Sequence, residues 1–157
     1  MPEKVDWNQL VAALREELQE KGGLVRLLDQ QARALFQQDA RENERLEEQI
    51  LIQLRAIARC TEVRELKVRQ SATSFQLSED VQVSQVIESF PEYVHPLLEA
   101  LVTEVDRLSS RMQESMVENE GLKQRLIENT SQAQKSAGQP ISQKSPPAFR
   151  SGRYGDH

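Results

Sequence analysis

The sequence predicts an all-α protein, an elongated antiparallel helical bundle or coiled coil of long helices with one short helix and a disordered C-terminal tail. Three observations carry that expectation. Aromatic residues are only 4% of the 157 and charged residues 29%, while the abundant Leu, Glu, Gln, Ala and Arg favour helix over sheet. The hydrophobic share of 38% lies below the roughly 45–50% of globular domains, which suits narrow apolar stripes better than a thick core. Apolar residues also recur in alternating steps of three and four, the spacing of one helix face. The length suits one domain, divided into a helical region, 1–132, and a basic tail, 133–157.

The first helix has a readable start. Asp6 is placed to accept from the backbone N–H of Gln9 while Gln9 reaches back, with Val5 and Leu10 at the positions of a hydrophobic staple. Trp7, Val11, Leu14, Leu18, Lys21, Val25, Leu28, Ala32 and Leu35 then form a heptad seam whose only charged member is Lys21. Gly22 and Gly23 interrupt it at a cost of about 1 kcal/mol each relative to Ala. The seam keeps its phase beyond them, so one helix is expected to run through.

From Gln37 to Arg45 only Ala40 is apolar, and Leu46, Ile50, Leu54 and Ile57 resume in a shifted phase. Either a turn near Asp39 separates two helices or one helix passes through with a stutter. No Gly or Pro marks a turn, so a continuous or locally bent helix ending near Gln70 is the expectation. Residues 71–80 are rich in cap and turn formers and predict a connection. Val81, Val83, Val86 and Ile87 predict a short helix that Ser78 could cap. Pro91 is expected to open the last helix, with Pro96 either bending its first turn or marking its true start.

That last helix has the cleanest seam: Val94, Leu98, Leu101, Val105, Leu108, Met112, Ser115, Asn119, Leu122 and Leu126. Its final third is less apolar, because Ser115 and Asn119 occupy positions where Leu is the norm. Two readings stand side by side. The helix leaves the bundle there, or it keeps an adaptable groove for a partner helix, with Met112 and Met116 supplying flexible contact. After Asn129 the periodicity stops, and Ser, Gln, Lys, Gly and Pro dominate, the composition of a disordered segment.

Charge and chemistry narrow the function. Residues 1–132 carry 16 Lys+Arg against 24 Asp+Glu, a net of −8, whereas Lys135, Lys144, Arg150 and Arg153 face only Asp156 in the tail. An acidic body repels phosphate backbones, so nucleic acid is not expected as a partner. Four basic charges spread through the tail would anchor it only marginally to a membrane surface. No stretch approaches the roughly 20 apolar residues of a membrane span. The N-terminus lacks the apolar region of a signal peptide, which makes the cytoplasm the expected compartment. Cys60 is the only cysteine, so no internal disulfide is expected, and its helical position reads as a small core residue. His95 and His157 form no ligand pair, and no metal-ligand spacing or phosphate loop occurs. Acidic pairs such as Glu16-Glu17 and Glu47-Glu48 read as solvated helix faces. The expectation is a non-enzyme without cofactor or metal that binds other chains.

The order of these features resembles the FlgN family of flagellar type III export chaperones. The resemblance covers roughly residues 7–130, through Leu27, Leu28, Ala34, Leu35, Asp39 and Leu46, then Leu97, Leu98, Leu101, Leu108, Asn119 and Leu122. Gly22-Gly23 departs from the family's pattern, as does Ser115 where the family often carries a further Asn. The resemblance implies a cytoplasmic protein that binds the C-terminal helices of hook-associated (hook–filament junction) proteins, keeps them unassembled and delivers them to the export gate. The client surface it suggests is Leu108, Met112, Ser115, Met116, Asn119, Leu122 and Leu126. The gate-docking element would be Tyr154 and Gly155, with Phe149 as a second anchor. Weak homodimerisation is compatible with this. The alternative is a structural coiled-coil tether or scaffold that oligomerises through the Val94–Leu126 seam.

Overall fold

The structure, a computed structural model, describes residues 6–138. It contains four α-helices and one 3-10 turn, with no strand among the described residues. They are α1 (Trp7–Phe36), α2 (Ala40–Ser74), α3 (Val83–Ser89), the 3-10 turn (Glu92–Val94) and α4 (His95–Gly138). At 44 residues, α4 is about 66 Å long, from a rise of about 1.5 Å per residue. The expected all-α architecture of long packed helices is what forms.

Asp6 is the N-cap of α1, but its carboxylate takes the backbone N–H and the side-chain amide of Asn8, at 3.5 and 3.3 Å. The Gln9 side chain instead accepts from Lys67 Nζ at 3.3 Å. The reciprocal capping box therefore does not form, and Val5 of the staple lies outside the described residues. α1 does run unbroken through Gly22 and Gly23. The two glycines differ in what surrounds them. A Cβ on Gly22 would meet nothing within 4 Å, whereas one on Gly23 would stand 3.0 Å from Gln53 Nε2. That amide donates to the Glu20 carbonyl at 2.7 Å and to Glu20 Oε1 at 3.0 Å, so Gly23 makes room for a side chain that ties α2 to α1. Gly22→Ala should accordingly stabilise the fold by about 0.5–1 kcal/mol, and Gly23→Ala should gain less or lose. Urea unfolding of the two single variants checks this; equal gains would mean that Gln53 yields without cost.

The expected continuous helix through Asp39 is corrected. α1 stops at Phe36, Gln38 takes a left-handed φ of 58°, and α2 begins at Ala40. The Asp39 N–H bonds the Ala34 carbonyl at 2.8 Å and the Gln38 N–H bonds that of Leu35 at 3.0 Å, the paired bonds of a Schellman ending. Asp39 then caps α2, accepting from the Glu42 N–H at 3.1 Å. The far end of α2 repeats the device. Gln76 has φ 62°, and Leu77 and Gln76 donate to Ala72 and Thr73 at 2.8 and 3.0 Å. Both endings use glutamine where glycine is the usual choice. The absence of Gly and Pro therefore does not exclude a turn at 37–39, and α2 runs to Ser74, four residues past the expected end near Gln70, because Ser71, Ala72, Thr73 and Ser74 stay helical despite their turn-forming composition.

Beyond α2, the N-cap of α3 is Gln82 and makes no side-chain bond. Ser78, expected to cap this helix, bonds Asp80 instead. Pro91 precedes the 3-10 turn, and α4 opens at His95 with Pro96 in its first turn. His95 Nε2 donates to the Phe90 carbonyl at 2.8 Å and ties that corner down. α4 continues to Gly138, past the change of character expected at 133, because Gln132, Ala133, Gln134 and Lys135 favour helix even without an apolar face. The expected tail from 139 onward, with Phe149, Tyr154 and Gly155, lies outside the described residues.

Cross-helix pairs set the directions. Glu17 with Arg64 and Gln31 with Asn43 run oppositely along the chain, so α2 is antiparallel to α1. Trp7 with Tyr93, Lys21 with Ser109 and Asn119 with Leu28 rise together, so α4 runs parallel to α1. α1 is thus the central helix and buries two faces, one for each neighbour. One apolar cluster joins Leu10, Val11 and Leu14 to Ala72, Val86, Ile87, Phe90, Val94, Leu98 and Val105. A smaller one joins Leu24 and Leu28 to Ile50, Ile57 and Met112.

Candidate functional site

The seam of α4 changes its chemistry along its length. Its N-terminal half is seated on α1 by Leu98 and Val105, continuing from Val94 in the preceding 3-10 turn. Beyond Met112 the buried seam residues are Ser115 and Asn119. The Asn119 amide donates to the Leu28 carbonyl and to Gln31 Oε1, both at 2.9 Å, and Gln31 Nε2 donates to Asn43 Oδ1 at 3.0 Å. One chain of amides therefore links all three long helices. Exposed or half-exposed ion pairs flank it, Arg111 with Asp29 at 3.6 Å and Lys123 with Glu47. Such pairs contribute little, so the distal half of α4 rests mainly on Met112 and the Asn119 amide.

Of the seven expected client-surface residues, Met112, Ser115 and Asn119 are buried, and Leu108, Leu122 and Leu126 are half-buried. Met116 is 39% exposed, and nearby Val117 and Ile127 are 74% and 51% exposed. Within the Val94–Leu126 seam, Val94, Leu98, Met112 and Asn119 are engaged with α1.

A buried polar centre went unnoticed in the sequence. Glu17, expected on a solvated face, is fully buried. Arg64 Nε and Nη2 donate to its two oxygens at 2.9 and 3.2 Å, and Thr61 Oγ1 adds a bond at 3.2 Å. Lys21 Nζ lies 2.8 Å from Glu17 Oε2 and donates to Ser109 Oγ at 2.6 Å, while that hydroxyl donates to the Val105 carbonyl. Burial pushes the Glu17 carboxyl up, but hydrogen bonds and charge from Arg64 and Lys21 outweigh it and hold the group below its ordinary value. The charged Lys21 of the heptad seam is explained in the same way: it reaches the one carboxylate that is buried among the described residues. Glu47 is half-buried beside Lys123, so that acidic pair is not fully solvated either.

On the far side of α1 from this seam, α1 and α2 leave a shallow groove lined by Ala13, Glu16, Glu20, Ala56, Arg59, Cys60 and Val63. Cys60 is buried, as expected, and burial pushes its thiol up. Along the α2 rim Ile52, Val63 and Leu66 are 58%, 46% and 42% exposed. Ile52, Ala56, Arg59, Val63 and Leu66 follow a second three–four spacing along α2, masked in the sequence by the stronger stripe of Leu46, Ile50 and Ile57.

No group of three or more His, Cys, Asp or Glu placed to hold a metal occurs among the described residues, and no described helix is long and apolar enough to cross a membrane. No family model, curated protein or solved structure matches the chain.

Proposed function

We propose that this chain is a helix-holding export chaperone of the FlgN kind. It covers the amphipathic C-terminal helix of a hook-associated protein in the cytoplasm and hands that subunit to the flagellar export gate. The observation that carries this reading is the uneven seating of α4. Its first half is buried by apolar contacts, whereas its second half is held by an amide network and leaves Met116, Val117 and Ile127 exposed and Leu122 and Leu126 half-buried. A client helix gains by covering such apolar side chains, and Met adapts to more than one client surface. The proposed client surface is therefore narrowed from seven residues to the distal part of α4, with exposed Met116 and half-buried Leu122 and Leu126 as its test residues. Docking at the gate through Tyr154 and Gly155, with Phe149 beside them, belongs to the same proposal and rests on the family resemblance.

The test is titration of the full chain with a synthetic C-terminal helix from a hook-associated protein, followed by calorimetry. Replacing Met116, Leu122 and Leu126 together by Asp should weaken binding at least about tenfold, the equivalent of ~1.4 kcal/mol, with helix content retained. Unchanged affinity in that variant would remove α4 as the client surface.

A further inference from the structure

The groove on the α1–α2 face is distinct from the α4 edge, and none of its lining residues comes from α4. We infer that this face is the site of self-association, in which two copies pair their α1–α2 hairpins about a two-fold axis parallel to the helices and form a four-helix bundle.

The face divides into three layers along the helices. By helical register one end holds exposed Ile52 of α2 and Leu27 of α1, the latter half-buried against the Leu24 cluster. In the middle, Glu16 and Glu20 of α1 flank Arg59 of α2. At the other end Ala13 lies beside Val63 and Leu66. Glu16, Glu20 and Arg59 make no ion pair among the described residues. The apolar rim is thus interrupted by one cation and two carboxylates that have no ion-pair partner, Glu20 being held only by the Gln53 amide. It is self-complementary under the right symmetry.

Two two-fold axes can lie in the plane of this face, and charge chooses between them. An axis perpendicular to the helices stacks α1 on α1, setting Glu16 and Glu20 against their own copies and Arg59 against Arg59. An axis parallel to the helices places α1 over α2 of the other copy, and the layers stay level. Arg59 then meets the partner's Glu16 and the partner's Glu20, Ile52 meets the partner's Leu27, and Val63 and Leu66 meet the partner's Ala13. Every helix then has antiparallel neighbours, and the small Ala13 and Ala56 in the groove allow close approach. The pairing is isologous, so each favourable contact occurs twice. From Ile52 to Leu66 the stripe is about 21 Å long at about 1.5 Å per residue. A patch of that length points to an interface at the small end of the size range and so to a weak, reversible dimer.

Sedimentation velocity on the full chain between about 1 and 200 µM tests this. The expected result is a concentration-dependent monomer–dimer equilibrium. Arg59→Glu should raise the dissociation constant at least about tenfold, because each copy then sets carboxylate against carboxylate. The double variant Glu16→Lys/Glu20→Lys should do the same. An equimolar mixture of these two variants should dimerise again, since every reversed charge then meets its opposite. A wild-type chain that stays monomeric throughout the range, an Arg59→Glu chain that dimerises unchanged, or a mixture that fails to associate would each overturn the inference. Client binding through α4 is measured separately and does not depend on the outcome.

Discussion

Glu17→Leu should destabilise the protein by about 3 kcal/mol, near the lower end of what breaking one side of a buried ion pair costs. The substitution strands two cations. Lys21 is almost wholly buried and can regain only Ser109, whereas Arg64 keeps a quarter of its side chain exposed and can swing partly into water. For a helical domain of this size the expected fall in Tm is on the order of 10 °C, and a fall below about 3 °C would refute the assigned role. Replacing the whole set, Glu17→Leu with Lys21→Met and Arg64→Leu, should recover much of the loss, because the burial penalties go with the charges. The pH dependence follows from the same geometry. The folded-state carboxyl titrates below its ordinary value, so its contribution is complete above the unfolded-state value and is lost as pH falls through the lower, folded-state one. Wild-type stability should therefore drop more steeply below the ordinary carboxylate range than that of Glu17→Leu. Parallel slopes in thermal melts between neutral and acid pH would contradict this.

Leu14→Ala carries the other large effect. Leu14 is 1% exposed and lies in the cluster that binds α1 to α3 and α4, so the cavity should cost about 3 kcal/mol. The single tryptophan offers a local probe, since Trp7 packs edge-on against Tyr93 with ring centroids 6.2 Å apart. Its fluorescence should report loss of α4 docking at lower urea in the variant than in the wild type. If the tryptophan midpoint stayed put while circular dichroism shifted, the cluster would not be what holds the two helices together.

The helices were legible wherever a single stripe met a single neighbour. Leu98, Val105 and Met112 were on the expected seam and are buried. α1 was harder because it serves two neighbours. Leu10, Ala13, Leu24, Gln31 and Ala34 are buried outside the heptad seam, and no one-stripe pattern predicts a helix with two covered faces. Glu17 was invisible for a related reason. Its partners Arg64 and Thr61 lie 47 and 44 residues away, and only the fold brings them together. The break at Gln38 was hidden because backbone bonds, and not residue type, impose its left-handed conformation, whereas the connection after α2 was legible and only its first residue was misplaced. The candidate site was partly legible. The polar turn of the α4 seam at Ser115 and Asn119 was plain in the sequence, but that Asn119 would spend its amide on α1 was not.

The central place of α1 also constrains how the chain can be made. As the polypeptide emerges, α2 can fold back on α1 as soon as residue 74 is available. The face carrying Leu14 and Leu28 must wait for α4, which begins at His95. Contacts such as Trp7 with Tyr93 close a loop of more than eighty residues, and long-range closure of that kind is slow compared with hairpin formation. For that interval the nascent protein is a half-built hairpin with a bare leucine stripe, sticky toward any passing amphipathic helix, its own unfinished α4 included.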